Sequence, residues 1–195
     1  NYVNVNINSG WHSGQSGFGN YTFQTILHEI GHGLGLGHQG LYNASGSYSL
    51  DADFTNDSWQ SSMMSYFSQS DNTSVEAGFA FLSTPMVVDW IALDQIYAAQ
   101  GYGTTNAFRG DTTYGFNTTI STATSRIFNE LTELIPFTAF TLVDGGGNDT
   151  LDFSRFLSNQ LIDLRDSDES ASNVYSSNIA GNMGNLTIEP GTIIE

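Results

Sequence analysis

The stretch YTFQTILHEIGHGLGLGH, residues 21–38, holds three of the four histidines in a chain of 195 residues. Phe23, Ile26, Leu27, Ile30 and Leu34 recur in it at helical spacing. On such a helix His28 and His32 stand one turn apart on the same face, the separation that two ligands of one metal require. Glu29 lies one residue round from His28, within reach of a metal-held water without binding the metal itself. Gly31, Gly33, Gly35 and Gly37 are poor helix formers, each costing roughly 0.8–1 kcal/mol against alanine in a helix interior. A helix would not carry that load for its own sake. Gly35 reads as the stop, because a glycine there can turn left-handed and redirect the chain. His38 can then come back as a third ligand. Three neutral imidazoles with an open fourth position make the arrangement of a catalytic zinc, not of a closed structural one. His12 has no motif around it and reads as a surface residue.

Composition narrows the setting. The chain is long enough for one sizeable domain or two small ones. There is no lysine, and four arginines face twenty acidic residues for a formal charge of −16. That balance argues against nucleic acid and anionic membranes as partners. It fits either a surface kept soluble in salty water or carboxylates held for hard cations such as calcium. The absence of cysteine excludes disulfides and thiolate metal sites and leaves the compartment open. No apolar run approaches the ~20 residues of a membrane span. At the start, NYVNVNIN alternates Val3, Val5 and Ile7 with asparagine, the pattern of a half-buried strand. A lone strand leaves its backbone groups unpaired, so its partner sheet is expected elsewhere.

Further along, STPMVVDWIALDQIYAAQGYG, residues 83–103, reads as one helix, capped by Ser83 or Thr84, with Pro85 in the first turn and Gly101 closing it. Val88, Ile91, Ala92 and Ile96 form its apolar face, expected to pack in the core. Beyond it SRIFNE and FTAFTLVD look β-like between turn signals. DGGGNDTLD, residues 144–152, fits the calcium-binding nonapeptide G-G-x-G-x-D-x-U-x, with Asp144 in the first glycine's place and Asp149 and Leu151 in register. The charged run DLRDSDES, residues 163–170, reads as a solvated loop.

HExxHxxGxxH followed by a methionine turn, here SSMMSYF at residues 61–67, is the metzincin signature. Within the metzincins the chain resembles a serralysin, a secreted bacterial zinc endopeptidase with a calcium-binding β-roll. The segments that carry the likeness are HEIGHGLGLGHQGLYNA, MMSYF, TPMVVDWIALDQIY, GDTTYGFN and DGGGNDTLDFS. The resemblance implies an α+β chain. Residues 1–103 would be the C-terminal part of a metzincin catalytic domain (last strand, active-site helix, Met-turn, closing helix), with its upstream sheet missing. Residues 104–195 would begin a C-terminal calcium-binding parallel β-roll or β-sandwich domain.

By the same resemblance one catalytic zinc is held by His28, His32 and His38. Met64 is its apolar floor, and Tyr66 is a displaceable further ligand that can stabilise the oxyanion. Peptide bonds would be hydrolysed through a zinc-activated water, with Glu29 as general base. Two or more structural calcium ions are implied. The first would use Phe108, Gly110, Thr112, Asp144, Gly146 and Asp149, and the second Gly147, Asp149, Ile193 and Glu195. The sequence departs from relatives at Gly33 (often alanine), Gln39 (often proline), Phe108 (often arginine) and Ile193 (often threonine). At Phe108 and Ile193 a backbone carbonyl could serve instead. The implied partners are protein or peptide substrates, the N-terminal portion of the same enzyme and a proteinaceous inhibitor, and the implied location is extracellular. The alternative is an inactive zinc- and calcium-binding fragment left by proteolysis of such an enzyme.

Overall fold

A computed structural model of the chain describes residues 3–11, 14 and 16–195. His12 lies outside the described residues. The elements, in order, are α1 (Tyr21–Gly33), α2 (Tyr48–Asp51), β1 (Phe81–Leu82), α3 (Val87–Tyr97), β2 (Thr113–Gly115), α4 (Arg126–Asn129), α5 (Leu131–Leu134), β3 (Thr138–Leu142), β4 (Thr150–Asp152), β5 (Ser176–Ile179) and β6 (Asn182–Ile188). The result is a mixed α/β chain with two sheets. One has the order β1-β3-β6-β5 and the other pairs β2 with β4. The pairs β1·β3, β3·β6 and β2·β4 are parallel, and only β5·β6 is antiparallel.

Strand β3 lies between two apolar clusters. Phe140 and Leu142 join Tyr114, Phe128, Leu131, Ile135, Leu186 and Ile188 on one side. Ala139, on the opposite face, joins Met63, Met64, Leu82 and Met86. A strand covered on both faces buries its polar residues too. Thr138 and Thr141 are fully buried, and their hydroxyls are paired, Thr138 to the Leu134 carbonyl at 3.0 Å and Thr141 with the Thr187 hydroxyl at 2.8 Å.

Three local expectations are corrected. Residues 3–8 form no strand, and Val3 and Val5 are exposed; no neighbouring strand among the described residues takes up their backbone groups. SRIFNE is helical, because the Ser125 hydroxyl accepts from Phe128 N and caps α4. The 83–103 helix starts only at Val87. Ser83 and Thr84 are turned to the sheet, where the Thr84 hydroxyl accepts from Thr141 N at 2.9 Å. The cap is instead the Asp89 carboxylate, which accepts from Met86 N at 2.8 Å. On the same helix Ala92 packs on the core as expected, but Val87 is fully buried and Ile96 is exposed, so the buried face is shifted from the expected one. Gly101 does close the segment, at φ 86°.

Candidate metal and catalytic centre

Helix α1 is capped by Asn20, whose side chain accepts from Phe23 N at 3.0 Å. It ends with Gly35 at φ 99°. Gly35 N donates to His32 O and Leu36 N to Gly31 O, both at 3.0 Å, the paired bonds of a Schellman ending. The reversal carries His38 back beside the helix. The rings of His28, His32 and His38 lie 4.7, 4.8 and 5.3 Å apart in pairs. One nitrogen from each falls within 4.8 Å of the others, and among the described residues no other group of three histidines or carboxylates converges so.

The tautomers follow from what each ring faces. His28 Nδ1 lies 2.8 Å from Met63 O, His32 Nδ1 2.9 Å from Leu36 O, and His38 Nδ1 2.9 Å from Tyr42 O. A carbonyl only accepts, so each Nδ1 carries the proton and each Nε2 presents a lone pair. His32 Nε2 and His38 Nε2 are 3.2 Å apart with no proton left to share between them. A cation at the common point resolves that repulsion, and three imidazole nitrogens with oriented Nδ1–H groups suit zinc. Burial, opposed by the Met63 carbonyl and aided by the neighbouring imidazoles, holds His28 below the usual histidine range. That favours the neutral form a metal needs.

Around this point opens a cleft of about 700 Å³, lined among others by Tyr21, Glu29, Trp59, Met63 and Tyr66. Glu29 stands in its wall beside the histidines. The Tyr66 ring lies 4.5 Å from the His38 ring, and among the described residues its hydroxyl accepts only a long 3.4 Å bond from Ala44 N. Met64 is buried against α1 between the two histidine turns. A Cβ on Gly31 would fall 2.5 Å from Met64 Sδ, so the ends of the methionines occupy the space a side chain there would take.

Three supporting residues were missed in the sequence. Met63 gives the carbonyl that orients His28. Asp89 accepts from Met63 N and Ser62 Oγ, both at 2.7 Å, and so fixes that turn from the start of α3. Its signal was available, a lone acid in the apolar run MVVDWIAL. Asp57, behind Tyr42, had no such signal.

The second-half residues gather around Asp149. Asp149 Oδ1 accepts from Thr112 N at 2.8 Å, and its fully buried Oδ2 has no hydrogen-bond partner among the described residues. Gly110 O and Phe108 O both lie within reach of the Thr112 hydroxyl, at 2.8 and 3.3 Å. Asp144 accepts from Gly146 N and from the Tyr114 hydroxyl, each at 2.7 Å. Glu195 accepts from Asp149 N at 2.8 Å. Gly147 packs on the Gly110 backbone, where a Cβ would come within 2.5 Å. Phe108 has φ 42°, and its ring stacks edge-on with Tyr114 and Phe128, so only its carbonyl faces the cluster. Ile193 is exposed. Burial, with Asp144 and Glu195 adding like charge, pushes the Asp149 carboxyl above the usual range. Oxygen donors crowding an unpartnered buried carboxylate oxygen fit a hard cation such as calcium.

Comparison with known proteins bears on the family. The family described as Peptidase M10 serralysin C terminal matches residues 104–195. A protein named Metallopeptidase AprA from Pseudomonas marginalis is 41% identical over 90% of this chain and 35% of its own length. Serralysin C of Dickeya chrysanthemi is 39% identical over 90% of the chain and 34% of its own length. A serralysin of Proteus mirabilis is 39% identical over 91% and 33%. The chain thus spans about a third of these relatives (35%, 34% and 33% of their lengths). With the likeness running through nine-tenths of its residues (90%), the chain belongs to the serralysin-type metzincins.

Proposed function

We propose that this chain carries the zinc site and proton-transfer residues of a secreted endopeptidase that hydrolyses peptide bonds in proteins. The observation that carries the reading is the convergence of three Nε2 lone pairs whose Nδ1 protons are already spent on backbone carbonyls. His28, His32 and His38 would hold the metal, with α1 as the active-site helix and residues 61–67 as the Met-turn beneath it. When bound, zinc supplies a Lewis acid that lowers the pKa of a bound water and polarises a carbonyl. Glu29 takes the proton from the attacking water and passes it to the amine nitrogen as the C–N bond breaks. Tyr66, lightly held at its hydroxyl, is placed to donate to the substrate's carbonyl oxygen as charge develops there.

The same reading places structural calcium among Phe108, Gly110, Thr112, Asp144, Gly146 and Asp149, with Gly147, Ile193 and Glu195 on the far side. It divides the chain near residue 103, with the rest of the enzyme completing the cleft. The separate apolar clusters on the two faces of β3 support that division. The −16 charge disfavours nucleic acid or an anionic membrane as partner.

Elemental analysis together with casein hydrolysis, with and without a zinc chelator, tests the reading. One zinc per chain and chelator-sensitive hydrolysis are expected. Glu29→Gln should keep zinc and lose about 10²–10⁴-fold in turnover, and near-parental turnover would exclude Glu29 as the base. Zinc without hydrolysis would favour the inactive-fragment alternative.

A further inference from the structure

The third ligand, His38, lies outside the helix, on a segment with little regular structure. Between His38 and residue 57 there is only the four-residue α2 and one isolated bridge, Asn43 to Ser45. Something other than a hydrogen-bond ladder must fix it. Tyr42 makes the contacts. Its carbonyl accepts from His38 Nδ1 at 2.9 Å, and its ring stacks on the His38 imidazole, 5.7 Å between centroids at 19°. The ring also lies 4.9 Å from Tyr66 and 4.8 Å from Phe67. Its buried hydroxyl donates to Asp57 Oδ1 at 2.9 Å.

Asp57 is an expensive residue to place there. It is fully buried, and among the described residues no cation pairs with it. The chain's four arginines all follow residue 108. Among the described residues Oδ2 makes no hydrogen bond of normal geometry, although the Ser65 hydroxyl, like that of Tyr42, stands as a donor that draws the carboxyl down. Burial pushes the Asp57 carboxyl above its usual range, with Asp53 adding to it. Burial, with Asp57 adding, raises the Tyr42 phenol to about 12, so the phenol remains a donor. An apolar pair of the same volume would fill this space without desolvating a charge. What the polar pair adds is direction, one orientation of the ring on which His38 and Tyr66 both rest.

We infer that Asp57 is a positioning residue for the metal centre, holding His38 and Tyr66 through Tyr42. The inference rests on the zinc reading above.

The test compares zinc affinity, by chelator competition, and the visible absorption of the cobalt(II)-substituted chain. Asp57→Ala should weaken zinc binding by about 10–100-fold and alter the cobalt bands. Asp57→Asn keeps a carbonyl oxygen for the Tyr42 hydroxyl and should recover most of both. Asn185→Ala serves as the control for general destabilisation. Asn185 is buried and bonded to Ile135, Thr138 and Ile179 carbonyls in the second half, so its loss should leave affinity and cobalt bands unchanged. A folded Asp57→Ala chain with parental affinity and spectrum would overturn the inference alone, as would a loss no larger than that of Asn185→Ala. If Asp57→Ala does not fold, Tyr42→Phe, which keeps the ring and its carbonyl, takes its place under the same criteria. An unsubstituted chain that binds no zinc would overturn the zinc reading and this inference with it.

Discussion

At the scale of single residues, Gly31 shows how a backbone position can serve a ligand it never touches. It lies between His28 and His32, and Met63 and Met64 occupy the space a side chain would take. A Cβ there would meet Met64 Sδ at 2.5 Å and Met63 Cε at 2.8 Å. Gly31→Ala should therefore lower stability by roughly 1–3 kcal/mol through overpacking, against a helix-propensity gain of roughly 0.8–1 kcal/mol. Urea unfolding measures the difference, and a more stable variant would mean that the methionines yield freely. The histidine spacing was legible in the sequence because i and i+4 fix a shared face. The three carbonyls that orient the rings were not, because any residue type can supply a carbonyl. Met63, Leu36 and Tyr42 earn those places through the path of the chain alone.

At the scale of elements, α3 holds the site at both ends. Asp89, near its start, accepts from Ser62, Met63 and Met86. Near its end the Tyr97 hydroxyl donates to Leu34 O at 2.8 Å, just where α1 finishes. Burial raises the Asp89 carboxyl to about 6, against the pull of its three donors. Asp89→Ala would strand those donors, and each buried orphan costs about 1–3 kcal/mol. A loss of at least that size in chemical denaturation is expected, together with weaker zinc binding, since Met63 O would no longer be fixed for His28. Unchanged stability would show that other groups can satisfy Met63 N. The helix itself was readable from its apolar run and its closing glycine. Its first residue was not, because the hydroxyls of Ser83 and Thr84, ordinary cap residues, are drawn off by β3.

At the scale of the molecule, carboxylates without nearby cations set how stability responds to solution conditions. At the junction of the two halves Glu189 is buried. Burial raises its carboxyl to about 7, aided by Asp94 and Asp166 and opposed by the Thr104 and Thr192 hydroxyls. The folded state holds this proton more tightly than the unfolded chain, whose glutamate titrates near 4.5. Its contribution is therefore fully present below about 4.5 and lost as pH rises to about 7. Glu189→Gln should flatten the pH dependence of unfolding across that window; an unaltered slope would assign it to other groups. Calcium should act in the opposite sense to the crowding around Asp149. Saturation at a hundred times its Kd would add about 2.7 kcal/mol. The gain, read as a rise in melting temperature on titration with calcium, should vanish in Asp149→Asn.

Sequence by itself determined the family, the chemistry of the donor sets and the existence of α1, α3 and β3, because these depend on local spacing and residue type. HExxHxxGxxH and the glycine-rich turn at 144–149 specify which residue types are offered, three imidazoles and a set of oxygen donors, while the free nitrogen of each ring depends on the carbonyl its Nδ1 meets. Only the tertiary structure decided what stands behind those atoms. The start of the chain alternates like a strand, yet it pairs with none of the described residues, since pairing depends on a neighbour and not on the pattern. Asp57 and Asp89 look in sequence like two more acids in an acidic chain. Folding buries both behind the ligand-bearing segments, where their hydrogen bonds set direction, because low dielectric surroundings make an oriented polar contact count for more than it does in water.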